Sequence, residues 1–273
     1  KYGTCVGWAV AYAAMSIKHN IKKNITDITQ KKLFAFDPLF IYTILKEDND
    51  HACSEGIHTK EAVKALKKYG CKRLVIGDET GCIIKSSLTE KMKKQAVLFK
   101  IKDSLQRIPV SANCTTQIKE VLNKNNPLIV SVKNLGKNAQ NEIGNNGLWK
   151  FRTNHKEVGY DHSMCIIGYN DNKYGGAFQI MNSWGKDFGQ DGFLWIKYKD
   201  FLKVVKEVFL FKLKDNSTYY TKKGHCLLGD CNEGYGQMKA KNGDFYEGEF
   251  DKGKKHGSGI LIDTSGKGWI GNW

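Results

Sequence analysis

The order of apolar and polar residues divides the chain into a helical first third and a strand-rich remainder. Residues 6–20 form an Ala-rich, mostly apolar stretch with no Gly or Pro beyond its second residue, which predicts a buried helix. Residues 59–69 and 117–125 each place apolar side chains on one helical face. They are followed by Gly70 and by Pro127, which commonly mark helix ends.

Short apolar runs separated by Gly, Asn and Asp predict β-strands after residue 127. The predicted strands are 128–132, 163–169, 177–182, 193–197 and 207–213. A polar, Asn- and Gly-rich stretch at 133–157 separates the first two strands, and a loop of this length is either functional or mobile.

The composition changes at residues 214–224, and the chain beyond is rich in Gly and aromatic residues that recur every 23 positions. Gly234-Tyr-Gly236 returns as Gly257-Ser-Gly259, and Tyr246-Glu-Gly248-Glu-Phe250 returns as Trp269-Ile-Gly271-Asn-Trp273. Such a period indicates repeated β-hairpins with aromatic side chains packed between them. We therefore predict three regions, which are a folded domain at 1–213, a linker at 214–223, and a repeat segment at 224–273 that is part of a longer array.

The formal net charge of +15 is compatible with an anionic partner such as a nucleic acid or a membrane surface. However, only three of the 43 basic residues are Arg, the side chain preferred for bidentate phosphate and base contacts. The lysines are scattered along the chain and mixed with Asn, which favours a solvated surface. We predict no nucleic-acid partner. No apolar run approaches the roughly 20 residues that a membrane-spanning helix needs.

Eight cysteines are too few for a disulfide-rich scaffold in a chain of 273 residues. If Cys5 is a free nucleophile, seven remain and cannot all pair within the chain, so the redox compartment stays open. Cys226 and Cys231 are close in the sequence and have no second Cys pair nearby. They are predicted to be packing residues rather than a metal site or a disulfide, and no metal or cofactor is predicted.

Three polar residues next to apolar elements are candidates for nucleophilic catalysis. Cys5 directly precedes the predicted helix at 6–20, whose unpaired N–H groups and partial positive charge can stabilise a thiolate. His162 opens an apolar strand, and Asn182 ends another. Each alone has an ordinary structural explanation, because free cysteines are usually buried and Asn commonly stabilises turns. Together they supply a thiol, a base and a group that orients the base.

The segments around these residues resemble the signature motifs of the papain family of cysteine peptidases. They read GTCVGWA at 3–9, DHSMCIIGYND at 161–171 and MNSWGKDFGQDGF at 181–193, of which the last is the most specific. Two further stretches also resemble the family. One is residues 54–56 together with the helical sequence that follows them, and the other is residues 117–132. The resemblance covers residues 1–213, sparsely in the middle.

This resemblance implies a two-lobed α+β peptidase, with Cys5 in a helical lobe and with His162 and Asn182 in a β-rich lobe. An extended polypeptide substrate would bind in the cleft between the lobes. Cys5 would attack the scissile carbonyl as an ionised thiol and form a thioester. His162 would accept and later return the proton, Asn182 would orient the imidazole, and Trp184 would shield their hydrogen bond from water.

The same resemblance places Gly56 and Asp161 beside the substrate cleft and requires no cofactor. It also implies an oxyanion hole made of the Cys5 N–H and a Gln side chain six residues before the nucleophile, a position that precedes Lys1. Val6 stands where the family usually has Trp. The three catalytic residue types are intact, so an active enzyme is predicted.

Residues 246–259, which read YEGEFDKGKKHGSG, resemble MORN repeats, and 225–236 look like a divergent first unit. His256 belongs to this repeat pattern. The resemblance implies a β-hairpin array that binds a protein or an anionic lipid. Two other functions remain open. One is an inactive papain-fold scaffold in which the repeats carry the function, and the other is a transpeptidase that passes the acyl group to an amine.

Overall fold

The computed structural model describes residues 3–26, 34–74, 81–102, 105–135, 142–143, 146–150, 160–215 and 218–273. Its first element, α1, is continuous and is α-helical at Cys5–Gly7, π-helical at Trp8–Met15 and α-helical again at Ser16–Lys22. Val10, Ala11 and Ala14 on this element are fully buried, which confirms the predicted buried helix. Most of the predicted loop at 133–157 lies outside the described residues.

Local sequence signals set the ends of the other helices. The Asp37 carboxylate accepts a hydrogen bond from Leu39 N, and Pro38 occupies the first helical position, so α2 begins there. Gly70 has a positive φ of 76° and ends α3, as predicted. The described helices after α1 are α2 (Pro38–Leu45), α3 (Thr59–Tyr69), α4 (Glu90–Val97), α5 (Cys114–Leu122) and α6 (Tyr198–Val204), with 3-10 turns at Lys85–Ser87 and Lys173–Gly175.

The first sheet has seven strands in the order β1-β7-β2-β4-β5-β6-β3. All described pairs are antiparallel except β3 with β6. Ile129, Cys165 and Phe209 pack with α1 and α3 in one core, while α5 and α6 cover the opposite face. The strands are β1 (Gln106–Ile108), β2 (Leu128–Leu135), β3 (Leu148–Trp149), β4 (Tyr160–Asn170), β5 (Ala177–Met181), β6 (Phe193–Lys197) and β7 (Val205–Leu210).

The second sheet is an antiparallel meander of six strands in sequence order. Tyr246 packs edge-on against Phe250 of the same strand and against Trp273, each with ring centroids 5.2 Å apart. The strands are β8 (Tyr219–Tyr220), β9 (Gly224–Gly229), β10 (Gly234–Ala240), β11 (Phe245–Asp251), β12 (Lys254–Ile262) and β13 (Gly268–Asn272). Strand β8 falls within the predicted linker at 214–223, where it pairs with β9.

A buried ion pair attaches the second sheet to the helical lobe. The Arg73 Nε and Nη2 atoms donate to the Glu247 carboxylate at 2.8 and 3.2 Å, and both side chains are almost fully buried. Arg73 also donates to the Phe34 carbonyl at 2.5 Å and to His19 Nε2 at 3.0 Å. Leu228 of β9 joins the core of the helical lobe. The two parts therefore share a dry, charged and apolar junction.

Four cysteines form disulfides, and this corrects one prediction. Cys226 and Cys231 are bonded to each other rather than merely packed, because the turn between β9 and β10 brings their Cα atoms within 5.9 Å. The second disulfide joins Cys53 and Cys82. The free cysteines are Cys5, which is half-buried, and Cys71, Cys114 and Cys165, which are buried.

No described helix has the length and apolar composition required to span a bilayer. The described residues also contain no group of three or more His, Cys, Asp or Glu side chains able to hold a metal ion.

Candidate active site

Cys5 is the first residue of α1, so its thiol lies beside backbone N–H groups that have no partner within the helix. The nearby backbone N–H groups, with that of Ser163 having the largest effect, act to lower the pKa of the thiol and favour its ionised form. Burial has the larger effect and raises the pKa of the Cys5 thiol above its usual value. Desolvation thus works against the ionisation that the helix start and the N–H groups favour.

His162 lies near the start of β4, and Asn182 directly follows the neighbouring strand β5. The two strands are antiparallel with Cys165 opposite Met181, which brings the His and Asn side chains together. His162 Nε2 is 2.7 Å from Asn182 Oδ1. Because an amide oxygen only accepts, the imidazole donates through Nε2 and keeps the lone pair of Nδ1 in its neutral form.

The His162 imidazole is neutral in this environment. Burial lowers the pKa of His162 to about 4, and the hydrogen bond to Asn182 opposes that shift. A neutral imidazole can accept the proton of a thiol that has not yet ionised. The directions of both pKa shifts favour a neutral thiol and a neutral imidazole before reaction, so a proton has to move when the sulfur reacts.

Trp184 lies against the imidazole, with ring centroids 4.8 Å apart. Its other neighbour is Phe188, whose ring meets it edge-on at 4.7 Å. Trp184 is still 45% exposed, so it forms an outer wall over the His162 ring. Asn182 N donates to the Gly192 carbonyl at 3.0 Å, which fixes the backbone of the loop that carries both Asn182 and Trp184.

The two residues predicted to lie beside the substrate cleft, Gly56 and Asp161, belong to separate segments of the chain. Gly3 N donates to the Cys53 carbonyl at 2.6 Å, and an added side chain at Gly3 would collide with the Glu55 carbonyl, so the Gly56 segment is pressed against the segment that leads to Cys5. Gly56 itself is exposed and faces open space. Asp161, next to His162, is exposed and forms an ion pair with Lys206.

Three buried or half-buried groups that the sequence did not single out support the Gly56 segment. Tyr42 Oη lies 2.6 Å from Asp50 Oδ2 and 2.7 Å from the Glu55 carbonyl oxygen. Asp50 Oδ1 accepts from Ser54 N at 2.9 Å. Lys46 Nζ donates to the Asp50 carbonyl at 2.7 Å and lies 3.2 Å from the Cys82 sulfur. No local motif marks these residues, because their roles depend on side chains that meet only after folding.

A cavity of about 270 Å³ lies between α1 and the loop that follows Asn182. Its walls include Trp8 and Tyr12 from α1 and Asn182, Gly192 and Phe193 from the other side. Of the three predicted catalytic residues, Asn182 lines this cavity, together with Ser163, the residue after His162.

A family model describing papain family cysteine proteases matches residues 3–209. The chain therefore belongs to the papain family of cysteine proteases. The matched residues include the start of α1, the Gly56 segment, and the strands and loop that carry His162 and Asn182. A search of curated proteins finds no match to this chain.

Solved cysteine proteases share the fold. Xylellain from Xylella fastidiosa superposes with a TM-score of 0.60 at 21% identity, over 77% of this chain and 80% of that one. The protease CMS1MS2 from Carica candamarcensis, in complex with E-64, gives 0.53 at 18% identity, over 77% and 89%. Bromelain from Ananas comosus, in complex with E64, gives 0.54 at 16% identity, over 78% and 90%. The papain-like α+β fold is thereby established for the part before the second sheet.

Proposed function

We propose that this papain-family protease hydrolyses peptide bonds through a thioester on Cys5, with His162 as base and acid and Asn182 as the group that orients His162. The observation that carries the proposal is the 2.7 Å contact between His162 Nε2 and Asn182 Oδ1. The backbone N–H of the adjacent Ser163 acts to lower the pKa of the Cys5 thiol. This arrangement leaves Nδ1 of the imidazole available to the thiol.

The neutral pair fits a concerted first step. As the Cys5 sulfur forms a bond to the scissile carbonyl carbon, the thiol proton passes to His162, and the Cys5 backbone N–H stabilises the developing oxyanion. His162 then gives the proton to the departing amine as the C–N bond breaks. In the second half, water attacks the thioester, its proton passes through His162, and the sulfur leaves as a thiol again.

The neighbouring residues have supporting roles in this scheme. Trp184 covers one side of the imidazole and limits the access of water to its hydrogen bond with Asn182. Gly56 presents bare backbone beside the segment that leads to Cys5, where a substrate chain can pair with it. Because Asp161 directly precedes His162 in the chain, it lies at the edge of the cleft. An extended polypeptide is the substrate class that such a cleft fits.

We also propose that the second sheet is a MORN-type array that binds a protein or an anionic lipid surface. Its support is the spacing of the hairpins, since β11 begins at Phe245 and β13 at Gly268, 23 residues later. Exposed Trp269, Ile270 and Trp273 lie at the far end of the sheet. An inactive scaffold is the less favoured function, since the thiol, the imidazole and the amide are all present.

Labelling by the epoxide E-64, which is bound in two of the similar protease structures, tests the proposal. We expect label on Cys5 together with loss of peptide hydrolysis, and neither label nor hydrolysis in Cys5→Ala. Cys114→Ala is the matched control because Cys114 also begins a helix but is fully buried. It should keep both activity and labelling. An unlabelled Cys5 in the folded wild type would favour the scaffold, and amide products formed with an added amine would indicate acyl transfer.

A further inference from the structure

Three hydroxyl groups form a closed ring behind the site, where the two lobes meet. Thr59 Oγ1 is 2.9 Å from Ser131 Oγ and 3.0 Å from Ser163 Oγ, and the two serine oxygens are 3.1 Å apart. All three side chains are buried. Each hydroxyl has one hydrogen to donate and lone pairs to accept, so a ring of three satisfies every donor without water or charge.

The ring connects the elements that carry the site. Thr59 is the first residue of α3 in the helical lobe, whereas Ser131 and Ser163 lie directly opposite each other on β2 and β4 of the first sheet. Thr59 therefore supplies the link from one lobe to the other. Successive side chains of a strand point to opposite faces, so Ser163 turns toward α3 while His162 meets Asn182 on the other face.

Ser163 also bears on the thiol. Its backbone N–H acts to lower the pKa of the Cys5 thiol. The ring holds the Ser163 side chain. Because Ser163 directly follows His162, one backbone segment carries both the Ser163 N–H and the His162 imidazole. A shift of the ring would consequently move the two partners of the thiol together.

We propose that the hydroxyl groups of Thr59, Ser131 and Ser163 act as a positioning group that sets the placement of the His162 imidazole and the Ser163 N–H relative to the Cys5 thiol. The role rests on the proposed peptidase function. Misplacement of reacting groups by about 1 Å can cost about 100-fold in rate, so contacts that never touch the substrate are sufficient to control turnover.

The decisive variant is Thr59→Val, which removes one hydroxyl and keeps the branched shape. We expect kcat for a peptide substrate to fall about tenfold while KM changes by less than about twofold, because the loss affects the alignment of the reacting groups. The rate of Cys5 alkylation by iodoacetamide, followed against pH, should shift to higher pH. The reason is that a displaced Ser163 N–H no longer stabilises the thiolate.

Two matched variants separate positioning from general damage. Thr59→Ser keeps the hydroxyl and should restore both the wild-type kcat and the wild-type alkylation profile. Thr43→Val makes the same chemical change at a fully buried threonine of α2, whose hydroxyl has no hydrogen-bond partner among the described residues. It should leave both readouts unchanged. Thermal unfolding of each variant reports its stability separately.

An unchanged kcat and alkylation profile in folded Thr59→Val would overturn the proposal, and so would an equal shift in Thr43→Val. If Thr59→Val does not fold, Ser131→Ala breaks the same ring without touching Cys5 and gives the same readouts. Failure of the peptidase function has a different signature, since the wild type would then hydrolyse no peptide. The alkylation profiles would still report whether the ring positions the thiol.

Discussion

The two junctions of this molecule are built from opposite chemistry. The lobe junction, formed by Thr59, Ser131 and Ser163 beside Cys5, is neutral and made of small hydroxyl groups. The second-sheet junction is centred on the buried Arg73–Glu247 pair. A neutral hydrogen bond contributes only about 1 kcal/mol net, whereas a buried charge that loses its partner costs several times more. The first junction therefore tunes geometry, and the second fixes the C-terminal sheet to the helical lobe.

The second-sheet junction also has an aromatic shell. The Arg73 guanidinium carbon lies 4.2 Å from the ring centroid of Phe36 and 4.5 Å from that of Phe99. The Glu247 carboxylate further accepts from Tyr235 Oη at 2.9 Å and from Gln237 Nε2 at 2.6 Å. Both charges are thus fully surrounded, and neither can be relieved by water.

The largest effect on stability is expected from Glu247→Gln, which leaves Arg73 charged and buried without a counter-ion. The free energy of unfolding should fall by about 3–5 kcal/mol. Urea unfolding of the full chain at neutral pH measures this. A change as small as that of a surface substitution would show that Arg73 reaches water and that the junction is loose.

Two controls sharpen that measurement. Arg73→Met combined with Glu247→Leu removes both charges and should recover much of the loss, because the penalty belongs to the unpaired charge. Glu61→Gln breaks the exposed pair with Lys64 and should produce no measurable change. A double variant that is less stable than Glu247→Gln would mean that the charge pair itself holds the sheet in place.

A somewhat smaller effect is expected from pH, because each junction buries a histidine. Burial lowers the pKa of His162 to about 4 and that of His19 well below its usual range, with Arg73 acting in the same direction on His19. The unfolded chain then binds more protons than the folded one between about pH 6.5 and the folded pKa. Stability is complete above that range and falls as the pH drops, by about 3 kcal/mol at most from His162.

The variant His162→Gln isolates this contribution. Its free energy of unfolding should change less than that of the wild type between pH 7 and pH 4.5, because one titrating group has been removed. Thr43→Val, which changes a buried residue without removing a titrating group, should keep the wild-type pH dependence. Identical pH dependence in wild type and His162→Gln would mean that the imidazole is not held neutral by burial.

Local patterns predicted the helices and strands well, with errors at the boundaries. The Ala-rich stretch at 6–20 is the buried α1, and Gly70 ends α3. The helix predicted at 117–125 instead spans Cys114–Leu122, and Asn125 follows it with a positive φ of 55°. The motif residues could be found from the sequence because each lies at the end of a helix or strand whose apolar periodicity is visible there.

The junctions were not predicted, because their partners are far apart in the chain. Thr59 and Ser163 are separated by 104 residues, and Arg73 and Glu247 by 174. A buried Thr or Arg has no local signature that names its partner. The opposing effect of burial on the Cys5 thiol was not predicted for a related reason, since desolvation depends on how the lobes close over the thiol and not on the helix that follows it.

The most direct test of the central claim is to trap the acyl-enzyme. An activated ester substrate mixed with the full chain should give a burst of about one leaving group per chain, with the acyl mass on the peptide that contains Cys5. His162→Ala should slow the burst by about 10⁴-fold, and Cys5→Ala should abolish it. Peptide cleavage that proceeds without acylation of Cys5, or at the wild-type rate in Cys5→Ala, would contradict the account.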